Sequence, residues 1–264
     1  MTPTLKAAFE GGAHEMELAA NVHFVPRTNE KVYILVKLMP TEDNHISWQA
    51  GGYWEMGLHN WQRAQVCHEL GHGLGLAHEQ TRKDRDASIT VQYNNIEAKH
   101  RFEYDINSST NTEGAYDFLS VMHFSDRLYS VNPPTAKTML VNSPNQKLQS
   151  YVGTGGVLSV LDRAGLAKRL GKGPQLSRIV TNTQDTGVGS LRAALYYAAD
   201  HPGTTILFRI PKTDPGFDGS VFHIRVNETL PSIVSEGTVL DGSTQRALTG
   251  STNGSRPKIG RAHV

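Results

Sequence analysis

The stretch His68-Glu-Leu-Gly-His72-Gly-Leu-Gly75-Leu-Ala-His78-Glu79 governs the reading of the whole chain. On a helix, positions i and i+4 lie one turn apart on one face, so His68 and His72 present two imidazoles to one point. Glu69 lies about 100° round the helix from His68, which sets a carboxylate beside that point without making it a ligand. Gly75 supplies the positive φ that ends a helix, a conformation that costs a residue with a Cβ ~1–2 kcal/mol. The turn it allows brings His78 back as a third nitrogen. Three protein ligands and an open fourth position describe a catalytic zinc site, not a structural one. A bare i, i+4 histidine pair arises by chance on ordinary helices, and HExxH alone has real false positives. The extended HExxHxxGxxH fixes five positions across eleven residues and is rarely accidental. Zn²⁺ lowers the pKa of a bound water from 15.7 to about 7 and polarises a carbonyl. Glu69 within reach of that water accepts its proton and passes it to a leaving amine, so peptide-bond hydrolysis is the reaction these parts fit.

Composition agrees with an enzyme domain and excludes other classes. The chain has 264 residues, and 26 basic against 25 acidic side chains leave it at +1. That length allows two domains or one large one. Near-neutral charge argues against nucleic acid or an anionic membrane as partner. A single cysteine, Cys67, excludes an internal disulfide and a multi-thiolate metal site. The longest apolar run, Val32 to Met39, is interrupted by Lys37 and falls far short of the roughly 20 residues that span a bilayer. No signal peptide opens the chain.

Around the histidines the sequence divides near Gly171-Lys-Gly-Pro-Gln175. Upstream, strands are expected at Asn21 to Val25, Val32 to Leu38 and Tyr53 to Leu58, the last after a bend at Gly51-Gly52. A helical stripe of Ala64, Cys67, Leu70 and Leu74 carries the metal residues. The charges Arg82 to Asp86 read most simply as a solvated, mutually paired turn, or else as an arginine that selects acidic side chains. Ser159 and Asp162 cap a helix that stops at Gly171. Downstream, short strands are expected at Thr204 to Ile210, Val221 to Val226 and Thr238 to Leu240, with one helix, Leu191 to Ala199, capped by Ser190. From Gly242 the tail has little to bury and is expected to be poorly ordered.

The histidine stretch resembles the metzincin metalloproteases, and Glu79 followed by Gln-Thr-Arg-Lys-Asp-Arg-Asp86 resembles the astacin signature HEQSRPDRD, with Thr81 and Lys83 as departures. Ser120-Val-Met122-His-Phe124 resembles the astacin Met-turn, whose methionine packs beneath the metal ligands. Asn21 to Lys31, residues 51–58 (its GGxQ-type upper-rim strand) and Leu158 to Asp162 resemble further astacin segments. The resemblance implies an α+β zincin-like catalytic domain over residues 1–171, a small twisted mixed sheet above an active-site helix. It implies one catalytic Zn²⁺ on His68, His72 and His78, Glu69 as catalytic base, and Gly75, Met122 and Glu79 in support. Astacins carry a zinc-ligating tyrosine where this chain has Phe124, which implies a site of three histidines and water with reduced, not absent, activity. Family disulfides cannot form, and only about twenty residues precede Asn21, so a first strand and the usual partner of Glu79 are expected to be missing.

After a linker at 172–178, Val180 to Ala194 resembles the opening VTNTNDSGxGSLRxAI of bacterial surface β-helix domains, with Leu230 to Ile233 and Val239 to Gly242 as its continuation. That implies the start of a right-handed parallel β-helix over 179–264, a solenoid-like all-β segment with one capping helix. The last six residues, Ile259 to Val264, resemble a sequencing adapter, and a gene fragment cut at both ends is expected. The reading is a monomeric zinc endopeptidase acting on proteins or peptides, secreted or displayed at a bacterial surface. Tyr53 to Leu58 is either an exposed edge strand that receives substrate or a covered strand with Trp54 in the core. The alternative is a zinc-binding surface-adhesin module that no longer cleaves, and a third reading is a zinc hydrolase acting on other substrates.

Overall fold

The computed structural model describes residues 3–40, 44–59, 62–108, 114–227, 230–233 and 235–249. The chain forms two compact units: residues 1–16 with 23–171, and residues 17–22 with 172–264.

The first unit begins with helix α1 (Pro3–Ala19), which sequence reasoning left unassigned. Gly11-Gly12 permits close contact with the metal-residue helix α2 (Arg63–Gly73). A Cβ at Gly12 would lie 2.4 Å from Val66 Cγ1, and one at Gly11 2.7 Å from Arg63 Nε. Three strands follow: β1 (Ile34–Leu38), β2 (His45–Gln49) and β3 (Tyr53–Leu58). Their order is β1-β3-β2, with β1 parallel and β2 antiparallel to β3. The β3 strand is therefore central, which corrects the expectation that Tyr53 to Leu58 could be an edge; among the described residues the sheet edge beside α2 is β2, joined to β3 through a turn in which Gly52 takes φ +82°. Trp54 is half-buried. Asn21 to Val25, expected as a strand, makes no ladder, because no strand among the described residues lies beside it to accept its hydrogen bonds.

The remainder of this unit is mostly irregular. A two-stranded ladder, β4 (Ile89–Val91) with β5 (Met139–Val141), closes over a core of Ile89, Ile96, Tyr104, Phe118, Phe124, Met139, Val141 and Val152. Helix α3 (Val160–Leu170) carries the expected capping box, Ser159 accepting from the Asp162 amide and Asp162 from that of Ser159, and ends at Gly171 with φ +88°. The charges Arg82 to Asp86 are mutually paired as expected, Arg82 with Asp84 and Arg85 with Asp86, and Lys83, Asp84 and Asp86 are exposed, but the two arginines are not solvated. Arg82 and Arg85 are both buried. Arg82 donates to Gly114 O, Ala115 O, Glu79 and Asp84, and Arg85 to Gln80 O and Tyr104 O. The planar guanidinia can be buried here because each donates to several carbonyls at once.

The second unit packs Val180, Ala194, Leu195, Ala198, Ile206 and Ile210 together. Strands β6 (Ile179–Val180), β7 (Thr205–Phe208) and β8 (Val239–Asp241) form one parallel sheet in chain order. Helix α4 (Leu191–Asp200) starts at Ser190, whose hydroxyl accepts from the Ala193 amide, as expected. Its buried Arg192 donates to the carbonyl and carboxylate of Asp185, folding the Thr181 to Gly189 loop back on the helix. Val221 to Val226 is not a strand; that region has only the isolated bridge Phe217–Phe222. Helix α5 (Ser243–Thr249) occupies the start of the tail expected to be poorly ordered, with Thr244 and Gln245 side chains accepting from the Phe208 and Ile210 amides. Residues 250–264, including the Ile259 to Val264 ending, lie outside the described residues. Among the described residues there is no closed sheet or solenoid: three strands of two to four residues build one face and no further coils. No described helix is long and apolar enough to cross a membrane.

Candidate metal centre

Helix α2 is buried on most sides through Arg63, Val66, Cys67, Glu69, Leu70 and Gly71. The Cys67 sulfur faces Gly12 O at 3.9 Å, as a core residue and not a ligand. The helix ends as its sequence dictates: Gly75 takes φ +93°, and Leu76 N donates to Gly71 O at 2.8 Å. The space a Cβ would need at Gly75 is filled by the Arg169 guanidinium, 2.5 Å away. The reversed chain delivers His78.

His68, His72 and His78 converge. Their Nε2 atoms are 3.0–3.1 Å apart in all three pairs. Nδ1 of His68 donates to Val121 O at 2.8 Å and Nδ1 of His72 to Leu76 O at 3.0 Å, which fixes the tautomer and leaves each Nε2 lone pair free. Burial lowers the pKa of all three, that of His68 to about 4 with the neighbouring His72 adding to the effect. Neutral rings with lone pairs aimed at one another repel unless a cation lies between them. A nitrogen triangle of this size places a divalent ion at about 2.0–2.1 Å from each corner, the zinc–imidazole distance, so the donor set fits such an ion. Among the described residues these three form the one gathered cluster of potential metal ligands, and Glu69 is not in it. Glu69 is 4% exposed and follows His68 on the helix.

The Ser120 to Phe124 turn braces the ligands. Val121 O holds His68, and Met122 O accepts from the Glu79 amide at 3.1 Å, tying down the residue after His78. Met122 is buried, its sulfur 2.7 Å from where a Gly71 Cβ would sit, so the methionine packs under the helix between two ligands. Asp162 supports the turn: its carboxylate accepts from Ser120 Oγ (2.6 Å) and Val121 N (2.9 Å). Sequence reasoning found Asp162 as a cap and missed this second role, for which a span of about forty residues offers no local signal. The Glu79 carboxylate accepts from Arg82 (3.0 Å) and the Asp117 amide (2.8 Å). Burial nevertheless raises its pKa to about 7. Phe124, 8% exposed, lays its ring 4.4 Å from that of His78 and edge-on to Tyr104. Gln80 Oε1 accepts from the Phe124 amide.

His123 is a further residue the sequence did not single out. Its Nδ1 donates to Phe124 O and its Nε2 accepts from the Tyr116 hydroxyl, both at 2.7 Å. Burial lowers its pKa to about 4. The unfolded chain takes up this proton near about 6.5, so between the two values it holds more protons than the fold. Stability is then lost as pH falls through that window, by up to about 1.4 kcal/mol per pH unit for this group. His123→Gln removes one titrating site, and denaturant unfolding between about pH 4.5 and 7 should show a slope shallower by about one proton. Parallel pH curves for the two proteins would count against this.

A model of the astacin family of peptidases matches residues 1–170. High choriolytic enzyme 2 of Oryzias latipes is 30% identical over 128 residues, 47% of this chain and 46% of its own. Flavastacin of Elizabethkingia meningoseptica is 29% identical over 114 residues, 43% of this chain and 26% of its own. The solved structure of high choriolytic enzyme 1, a hatching enzyme zinc-protease from the medaka fish, matches with a TM-score of 0.57 at 24% identity, over 63% of this chain and 82% of that one. At that identity the likeness speaks for the fold alone. The chain spans a little under half the length of the choriolytic enzyme it matches in sequence. The match over residues 1–170, carried by a mixed sheet above a helix that gathers three histidines, means that this chain belongs to the astacin family.

Proposed function

We propose that the first unit is a zinc-dependent endopeptidase. The observation that carries this is the triangle of Nε2 atoms 3.0–3.1 Å on a side, with His68 and His72 oriented by the backbone carbonyls of Val121 and Leu76. His68, His72 and His78 would hold one zinc. Bound there, zinc supplies a positive charge that polarises a carbonyl and acidifies water. Glu69 accepts the proton of the attacking water and delivers it to the leaving amine. Met122 and Glu79 keep the ligand-bearing segments in place through their contacts beneath the helix and with Arg82, and Gly75 makes the turn that brings His78 in. Protein or peptide substrates would lie extended along the open edge of β2, adding main-chain hydrogen bonds to the sheet.

Phe124 favours a second reading, a zinc-binding module with impaired catalysis, because a phenyl ring cannot donate to an oxyanion. What favours a β-helix beginning in the second unit is its three parallel strands in chain order, which accompany the two helices α4 and α5; display outside a bacterial cell belongs to that same reading. The test of the protease reading is hydrolysis of casein and of a quenched peptide by the full chain. Chelator should abolish it, stoichiometric zinc should restore it, and elemental analysis should find about one ion per chain. Activity indifferent to chelator refutes the proposal; a stoichiometric ion with no hydrolysis of either substrate supports the second reading instead.

A further inference from the structure

We infer that Trp48 is a specificity-determining residue, selecting peptides that carry a bulky apolar side chain close to the scissile bond. This rests on the proteolytic reading above and names a substrate class for it.

The pleat of the sheet decides which side chains share a face. Met56 and Leu58 of β3 are fully buried, which marks their face as the inner one. Ile46 pairs with Met56 and Trp48 with Trp54, so Ile46 and Trp48 share that inner face on the edge strand β2. Ile46 reaches the metal helix: its Cδ1 lies 2.8 Å from where a Cβ on Gly73 would be, and Gly73 follows His72. The inner face of the open edge therefore meets α2 at its ligand-bearing end. Trp48 is two residues further along, about 7 Å by strand rise.

Core packing does not account for Trp48. The residue is 52% exposed, and its ring lies edge-to-face on half-buried Trp54 at 5.5 Å between centroids. Such a contact fixes the indole in advance, so little side-chain entropy is lost when a ligand stacks on it. The neighbouring charges do not compete. Lys37 and Glu55, paired at 2.6 Å, belong to the opposite face of the sheet. A peptide strand added along β2 places alternate side chains on the inner face, and one of these meets the indole within about three residues of a bond held at the histidines.

The experiment uses the full, zinc-loaded chain and quenched peptides that differ only by Phe, Ala or Asp at one position, scanned about three residues either side of the cleaved bond. At one position kcat/KM for Phe over Ala should be high in the parent and fall by about tenfold in Trp48→Ala, with Trp48→Phe retaining most of the ratio. Zinc content measured alongside separates this from damage to the metal site. Anisotropy of labelled Phe and Ala peptides on Glu69→Gln protein gives the same comparison without turnover, and Trp48→Ala in that background should narrow the difference in affinity. Equal ratios in parent and variant, absence of any Phe preference, or equal affinities overturn the role of Trp48. Failure to cleave any peptide while the affinity difference persists overturns the protease reading and leaves the recognition intact.

Discussion

Glu69→Gln protein should hydrolyse peptides about 10²–10⁴-fold more slowly than the parent while keeping its zinc. The substitution conserves shape at a side chain that is 4% exposed, so packing around α2 changes little. What it removes is a group that can take a proton at working pH and return it to an amine. His68 and His72 should stay in place, because the carbonyls of Val121 and Leu76 orient them. The loss should therefore fall on kcat, with KM changing little, since proton transfer acts in the transition state and not in ground-state binding. The acid limb of the pH–rate profile, where the base becomes protonated, should vanish with it. Two results would go against the assignment. Activity within about threefold of the parent would place the base elsewhere. Loss of bound zinc would give Glu69 a part in holding the site and not in chemistry.

The convergence of His68, His72 and His78 was legible because everything that defines it lies within one helix and one turn. Spacing sets the face, and Gly75 sets the reversal. Met122 was legible only through resemblance, since nothing local distinguishes it from core filler. Features set by topology were not legible. Whether Tyr53 to Leu58 lies at the centre or the edge of a sheet depends on where β1 and β2 pair, and alternation within a strand carries no such information. The charge cluster at Arg82 to Asp86 was legible as a paired turn, but the burial of its arginines was not. Hydrophilic composition predicts exposure, yet Arg82 and Arg85 are buried by carbonyls of distant segments that no pattern announces. Helix α1 was hidden by its own glycines. Gly11 and Gly12 lower helix propensity, but their missing side chains are what let α2 approach.

That approach buries an ion pair whose disruption should give the largest stability effect. Glu15 on α1 and Arg63, the first residue of α2, are 0% and 2% exposed, with Oε1 and Nη1 3.4 Å apart. Glu15→Ala takes one carboxylate partner from a guanidinium buried in the helix interface, and removing one partner of a buried pair costs about 3–5 kcal/mol. That is a large part of the 5–15 kcal/mol that typically holds a domain together, and lowers the melting temperature by roughly 10 °C. Glu15→Gln keeps a polar partner and should cost less. The pair itself need not contribute net stability, because both charges were dehydrated to form it. Replacing both at once, Glu15→Leu with Arg63→Met, should recover most of the loss, and a double-mutant cycle should show strong coupling. Arg63 opens the helix that carries His68 and His72, so the single Glu15→Ala variant should also bind zinc more weakly in chelator competition, and the double variant should regain affinity. Denaturant unfolding that places Glu15→Ala within about 1 kcal/mol of the parent would mean that water or another group already shields Arg63, and the pair would then be incidental to how the two helices meet.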